Sequence, residues 1–211
     1  MNQTFVILML VLAFASPVVA QECGPSCPVC SGSGNGASAL LSQNSVMISG
    51  LSIPTADEER TVVKVGYGML GWLDAGVGYA IRTEKVLWSV RAQPLLEQKN
   101  GWRPGFIMGT GSVQTGGSDQ SVYAQLIKTW GVSELLDLRF STGTATLVPD
   151  FDEVYGLAGI AAILQDRYSA SLDYDGKSMH TGLSWFASDW LSLSFLMVEM
   201  EYPAFSIVFR Q

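Results

Sequence analysis

Three cysteines form the densest cluster of reactive side chains in this 211-residue sequence. Cys23, Cys27 and Cys30 lie close together near the start of the chain, and no other cysteine follows them. Thiolates bind zinc, and in an oxidising compartment two thiols pair as a disulfide. The odd number leaves three alternatives open: a disulfide beside one remaining thiol, a metal site, or a link to a second chain.

Residues 27–34 read Cys-Pro-Val-Cys-Ser-Gly-Ser-Gly and resemble one half of the zinc-binding repeat of DnaJ-type chaperones. A complete tetrahedral zinc site needs four ligands, usually from two such halves. The sequence has no second half, so a fourth ligand would have to come from His180, a carboxylate or another chain. No Cys-x-x-Cys-His motif is present to indicate covalent haem attachment. We therefore predict no cofactor.

His180 is the only histidine of the chain. With Ser178 or Ser184 it could form part of a lipid-modifying hydrolase. Neighbours in sequence do not make a catalytic triad, however, and alternate residues of a strand only share a face. We therefore expect a polar histidine that faces the inside of a sheet, and we do not predict an enzyme.

A hairpin phrase that occurs three times predicts the elements that position these residues. It covers residues 70–79, 130–140 and 186–195. Each copy has a turn of small residues, an aromatic residue beside it and then strict alternation of apolar and polar residues, which is typical of a strand with one apolar face. Large apolar residues recur on that face and aromatic residues gather at the turns, so the expected contact of the apolar face is lipid.

From Ser45 onward we predict about twelve strands, each near the ~9–11 residues that a tilted membrane strand needs. A sheet of ten strands would also close into a barrel. An even number of strands brings both ends of the sheet to one side of the membrane, together with the three repeated turns. The loops that are rich in acidic residues then lie on the other side. The predicted fold is an all-β, closed, antiparallel up-and-down transmembrane barrel over residues 45–211. The predicted strands are 45–53, 60–69, 73–81, 85–94, 103–112, 120–130, 134–143, 154–164, 167–174, 178–186, 190–200 and 203–210.

Composition agrees with a barrel in lipid. Hydrophobic residues make up 48% of the chain and charged residues only 15%, with a mean hydropathy of +0.26. Beyond the first residues, no segment approaches the roughly 18 unbroken apolar residues of a spanning helix. In a barrel, the apolar residues are instead spread one residue in two. The net charge of −7 argues against a nucleic-acid partner.

The start of the chain predicts export. An apolar run over 5–14 is followed by small residues over 16–20, so we predict a signal peptide over residues 1–20, cut after Ala20. Residues 21–44 are rich in Gly, Ser and Cys. They predict a flexible periplasmic segment that is either loose or seated in the barrel mouth.

The alternation also assigns charged side chains to the barrel interior. A lipid-facing Arg or Lys at the bilayer centre would cost about 2–4 kcal/mol, so we expect charges to face the lumen. Lys128 shares a face with apolar residues, which predicts either a bulge or a lysine that reaches along the surface beside Trp130. The charged residues that we predict to face the lumen are Lys64, Asp74, Lys85, Arg91, Asp137, Arg139, Arg167 and Asp173.

The last strand, Ala204–Phe209, resembles the closing strand of bacterial outer-membrane proteins, which alternates aromatic residues and finishes on Phe. Here Arg210 and Gln211 follow that Phe. The resemblance implies recognition by the barrel-assembly machinery and a place in the outer membrane of a Gram-negative envelope. An aromatic girdle at one membrane interface is predicted from Trp72, Trp130, Trp185 and Trp190.

Two functions follow from this fold, and a third rests on one residue. The leading hypothesis is a narrow, porin-like channel for small solutes, because the inner face is charged. Opposite charges could instead cross-link and close the lumen. The barrel would then be structural and would dock a periplasmic partner through its Cys-rich segment. The third hypothesis, a lipid-modifying enzyme, depends on His180 alone.

Overall fold

The structure is a computed structural model. It describes residues 40–54, 61–81, 84–98, 101–111, 121–148, 151 and 153–211. The predicted signal peptide and almost all of the Cys-rich segment lie outside these residues. Within the described ranges, no helix is long and apolar enough to cross a membrane.

The described residues form one closed sheet of twelve strands, each antiparallel to the next, and the last strand pairs with the first. The closed up-and-down barrel predicted from the sequence is therefore confirmed, with twelve rather than ten strands in the part of the chain that the structure describes. The strands are β1 (Val46–Ser52), β2 (Val62–Leu70), β3 (Leu73–Ala80), β4 (Lys85–Leu95), β5 (Gly105–Gly111), β6 (Ser121–Gly131), β7 (Leu136–Leu147), β8 (Val154–Leu164), β9 (Tyr168–Tyr174), β10 (Met179–Ser188), β11 (Leu191–Val198) and β12 (Tyr202–Arg210).

The two-residue period of the sequence sets which side chains face outward. In β10, Leu183 and Trp185 are 60% and 47% exposed on the outer wall, whereas the alternate residues Ser184 and Phe186 are buried. Because successive strand side chains point to opposite faces, one residue in two meets the barrel interior. The outer wall as a whole is apolar. Its exposed residues include Val63, Val65, Val77, Val86, Leu172, Phe195, Phe205 and Ile207.

We call the end of the barrel where β1 begins and β12 ends the proximal end, and the opposite end the distal end. The three repeated phrases supply proximal turns, at Gly71–Trp72, 132–135 and Asp189–Trp190. In two of them the strand before the turn has a register shift, between Gly68 and Leu70 and between Phe186 and Ser188. The first and third copies of the repeated sequence therefore encode a bulged hairpin.

Aromatic residues gather near the proximal end. Trp72 and Trp190 lie in turns, and Trp190 stacks on Phe209 with ring centroids 6.3 Å apart. Trp130, at the end of β6, packs edge-on against Phe140 at 5.2 Å. Trp185 pairs with the first residue of β9. This arrangement matches the aromatic girdle of a membrane interface.

Two local predictions are wrong. β7 continues to Leu147, so the long loop predicted from Thr144 begins later. β12 begins at Tyr202, one residue before the predicted start at 203, and a proline fits the first residues of a strand. The turn before it contains Glu199 and Met200, whose φ angles are both 56°.

The inner wall is not uniformly charged. Among the residues that the structure describes, four apolar clusters are buried inside it. The largest contains Ile107, Tyr123, Ile127, Ala145 and Leu157, on β5 to β8. The other three are centred on Ile53 and Leu196 near the distal end, on Ile163 with Phe186, and on Leu41 with Met47 and Val208 at the proximal end.

Candidate functional site

A buried ion pair marks the proximal mouth of the barrel. Asp74 of β3 and Arg91 of β4 occupy directly paired positions. Arg91 donates from Nε to Oδ1 of Asp74 over 2.9 Å and from Nη2 to Oδ2 over 2.6 Å. The two residues are only 2% and 8% exposed. This two-pronged contact is the strongest geometry available to an arginine and a carboxylate.

The chain that precedes β1 enters the lumen beside this ion pair. The backbone N–H of Leu41 donates to Oδ2 of Asp74 over 2.9 Å. The Leu41 side chain is 5% exposed and packs against Met47 and Val208, both of which face inward. Leu41 therefore lies inside the barrel wall rather than on the rim.

Two glycines of β2 make room for this segment. A Cβ on Gly68 would overlap the backbone carbonyl of Ser42, and a Cβ on Gly66 would lie 3.1 Å from Cδ1 of Leu41. Gly68 also exchanges backbone hydrogen bonds with the segment, since Asn44 donates to its carbonyl and its N–H donates to Ser45. The absence of a side chain is required at Gly68 because polypeptide backbone occupies that space.

Four of the charges predicted to face the lumen are half-buried on strands. They are Lys64 of β2, Asp137 and Arg139 of β7, and Asp173 of β9. Arg139 donates from Nε to the Thr129 hydroxyl over 3.3 Å. All four occupy the inner face by the two-residue alternation.

The two remaining predicted lumen charges lie at the ends of the barrel. Lys85 is the exposed first residue of β4 at the distal end. Arg167 is exposed in the β8–β9 turn, because β9 begins one residue later than the sequence predicted. Neither side chain lies at a mid-strand position.

Lys128 is explained by a contact with a loop. The pairing of β6 with β7 runs without a shift from Ser121 to Gly131, so the predicted bulge is wrong. Lys128 keeps its outward parity, and its Nζ donates to the Gln98 carbonyl over 2.8 Å and lies 3.4 Å from a Glu97 carboxylate oxygen. Its cation also lies 6.0 Å from the Trp130 ring centroid.

Glu97 completes this contact by capping the edge of β6. Its carboxylate accepts a hydrogen bond from the backbone N–H of Thr129 and another, over 3.1 Å, from the Thr129 hydroxyl. β5 pairs with β6 only as far as Ile127, so the β4–β5 connection supplies the partner that β5 does not. A backbone donor at this edge would otherwise be unsatisfied in lipid.

His180 joins two distal connections and is buried. The backbone N–H of Glu199 donates to Nδ1 of His180 over 3.1 Å, so the proton of the neutral ring lies on Nε2 and is donated to Asp175 over 2.9 Å. Ser184 bonds to the Ser194 hydroxyl over 2.8 Å. Both ring nitrogens of His180 therefore have partners other than the serines that a hydrolase would use.

Asp175 holds the β9–β10 connection together. Burial would raise the pKa of this carboxyl, but hydrogen bonds from His180 and from the backbone N–H groups of Ser178 and Lys177 outweigh burial and lower its pKa below the ordinary value. The carboxylate is thus the form that the distal end stabilises.

The predicted cysteine cluster, Cys23, Cys27 and Cys30, lies outside the described residues. Among the residues that are described, no three His, Cys, Asp or Glu side chains meet in a group that could hold a metal ion. A disulfide beside one thiol, a metal site and a link to a second chain therefore remain the three predictions for these cysteines.

The sequence pattern did not reveal the contacts of Leu41 or of Glu97. The inward glycines Gly66 and Gly68 were the available signal, since paired glycines on a lumen face indicate a crowded interior. The apolar interior clusters were missed because lumen positions were assigned by their charges.

No protein-family model matches the chain, and no curated protein matches it. Among solved structures, a chain described as "KdgM porin" is similar, with a TM-score of 0.53 and 14% sequence identity, over 79% of this chain and 97% of that one. At this identity the similarity concerns the fold. The closed twelve-stranded barrel of the described residues and this likeness show that the chain has the fold of outer-membrane β-barrels.

Proposed function

We propose that this protein is a narrow channel for small hydrophilic solutes in the bacterial outer membrane. The main support is the contrast between the two faces of one closed sheet. The outer wall exposes large apolar side chains such as Leu183 and Phe205, at 60% and 58%. The inner wall carries the half-buried charges of Lys64, Asp137 and Arg139. A wall that is apolar outside and charged inside suits lipid on one face and water on the other.

The proximal end is proposed to face the periplasm. Bacterial barrels have short periplasmic turns and longer external loops. Three of the proximal connections are short turns, at Gly71–Trp72, 132–135 and Asp189–Trp190. The outward aromatic residues Phe205 and Phe209 of β12 fit a closing strand that the barrel-assembly machinery reads.

The likeness to a porin supports a channel rather than an enzyme. Twelve strands enclose a lumen between the filled eight-stranded barrels and the open sixteen-stranded ones. The interior clusters around Ile107 and Ile163 narrow that lumen further. We therefore propose passage of small solutes only.

The test is osmotic swelling of vesicles that contain the refolded protein, with uncharged solutes of increasing size. We expect swelling with small sugars and amino acids and none with larger oligosaccharides. Protein shown to be folded by heat-modifiable gel mobility, yet giving no swelling with any solute, would refute the channel.

A charge substitution gives a second test of the channel, with a matched control. Arg139→Glu reverses a charge of the inner wall, so it should shift the reversal potential in a salt gradient toward cations. Phe140→Leu changes the next residue, which faces outward and is 37% exposed, and should leave the reversal potential unchanged. Equal effects of both substitutions would contradict a conducting interior.

A closed docking barrel is the second candidate. The ion pair of Asp74 with Arg91 and the interior apolar clusters favour it, because both fill the lumen. In this case we propose that the cysteines bind a periplasmic partner. Serine at Cys23, Cys27 and Cys30 should then abolish capture of that partner, whereas vesicle swelling should be absent in every variant.

A further inference from the structure

We propose that residues 40–44 form a built-in constriction of the proximal mouth, and that Asp74 is the positioning residue that holds it. This inference rests on the proposed channel and identifies the residues that set its size limit. The described contacts fix both the place and the direction of the segment.

The segment lies within the lumen rather than beside it. Leu41 contacts Met47 and Val208, which face inward from β1 and β12. Its side chain also reaches the space over Gly66, two residues further into β2 than Gly68. A leucine at this depth removes cross-section from the passage itself.

Asp74 holds the backbone of the segment in place through a hydrogen bond. Its Oδ2 accepts hydrogen bonds both from Arg91, over 2.6 Å, and from the Leu41 N–H, over 2.9 Å. Arg91 holds the carboxylate in a single orientation through its second bond to Oδ1. The buried ion pair therefore aims one carboxylate oxygen at one backbone amide.

A second anchor holds the segment at the rim. Tyr67 points outward from β2, and its hydroxyl donates to the Asn44 side-chain oxygen over 3.1 Å. The Asn44 N–H donates to the Gly68 carbonyl over 2.8 Å. With bonds at Asn44 and at Leu41, the short stretch between them cannot swing out of the mouth unless hydrogen bonds break.

The opposite wall carries the groups that a passing solute would meet. In a ring of twelve strands, β7 lies half-way round from β1. Asp137 and Arg139 occupy the proximal part of β7, and Arg139 is bonded to Thr129. The passage at this level therefore lies between the Leu41 segment and a charged wall.

Gly68→Ala tests the constriction without removing a charge. A methyl group there would occupy the space of the Ser42 carbonyl, so residues 41–42 must move away. In planar bilayers we expect the single-channel conductance of the full chain to rise severalfold. Gly50→Ala is the matched control, because a Cβ at this outward glycine meets only Ile207 Cγ2, at 3.6 Å. Equal conductance of the wild type, Gly68→Ala and Gly50→Ala would overturn the proposal.

A labelling experiment tests the segment even if no variant conducts. Leu41→Cys is placed in a chain with serine at positions 23, 27 and 30, and its reaction with a bulky maleimide is timed. We expect slow labelling, and severalfold faster labelling when Gly68→Ala or Asp74→Asn is added. Ser133→Cys, in an exposed proximal turn, should label fast in every background. Labelling of position 41 at the rate of position 133 would refute the constriction.

The two experiments separate this inference from the proposed channel. Silence of all variants in bilayers with protected Leu41→Cys would reject the channel and keep the segment in the mouth. Conduction by the wild type together with fast labelling of Leu41→Cys would support the channel and reject the constriction.

Discussion

Asp74 and Arg91 face each other across β3 and β4, and two hydrogen bonds lock their side chains together at the proximal mouth. Both residues are almost fully buried. A buried pair of this kind adds little stability as a pair, but each charge depends on the other, since either one alone would be uncompensated.

Removal of one partner should therefore be costly. We expect Asp74→Asn to lower the free energy of unfolding by about 3–5 kcal/mol, because the buried Arg91 charge loses its carboxylate. Urea titration in lipid vesicles, followed by tryptophan fluorescence, measures this. Asp189→Asn, in an exposed proximal turn, should change stability by about 0.5 kcal/mol or less. A double variant with Asp74→Leu and Arg91→Met should recover most of the loss. An Asp74→Asn variant as stable as wild type would contradict a coupled pair.

The cap on the β6 edge gives a second prediction. Glu97→Ala leaves the buried Thr129 N–H without its acceptor, and we expect a loss of about 1–3 kcal/mol. Glu97→Gln should lose less, because an amide oxygen still accepts that hydrogen bond. Glu134→Ala, in the exposed β6–β7 turn, serves as the control in the same urea titration. Equal stability of Glu97→Ala and Glu134→Ala would show that the cap is dispensable.

The distal end should be sensitive to acid. The folded state holds the pKa of Asp175 below its ordinary value, so this group adds stability above that ordinary value and loses it as the pH falls through the folded pKa. We expect the stability of the wild type to fall in acid more steeply than that of Asp175→Asn. Parallel pH profiles of the two proteins would contradict this linkage.

The β11–β12 turn carries backbone strain that a substitution can release. Met200 has a φ of 56°, in the left-handed region that non-glycine residues disfavour. Met200→Gly should raise the free energy of unfolding by about 1 kcal/mol, since glycine adopts this conformation without a Cβ clash. Met179→Gly changes an exposed methionine within β10 and should instead lower stability, by about 0.5–1 kcal/mol. A loss of stability in Met200→Gly would mean that the methionine side chain matters more than the strain.

The number of strands and the side chains that face lipid could be read from the sequence. Alternation such as that of Leu183 and Trp185 with Gly182 and Ser184 has a period of two, and that period assigns the faces of a strand. The repeated turns could be predicted for the same reason, because each is a local sequence pattern.

The contacts of the mouth could not be read in this way. Leu41 and Asp74 are 33 positions apart, and the segment around Leu41 has no periodicity that would predict its place. The contact between Glu97 and Thr129 depends on where β5 stops pairing, which is a three-dimensional property. The apolar interior escaped prediction because apolar residues such as Ile107 and Leu157 fit both faces of a membrane barrel equally well.

The claim on which this account depends is that one sheet has lipid outside and water inside. Spin labels at Arg139→Cys and Phe140→Cys, in the cysteine-free chain in lipid vesicles, test two neighbouring residues on opposite faces. We predict that a water-soluble nickel chelate relaxes the label at position 139 and that oxygen dissolved in the bilayer relaxes the label at position 140. Equal access of both reagents to both positions would contradict a closed barrel with a hydrated interior.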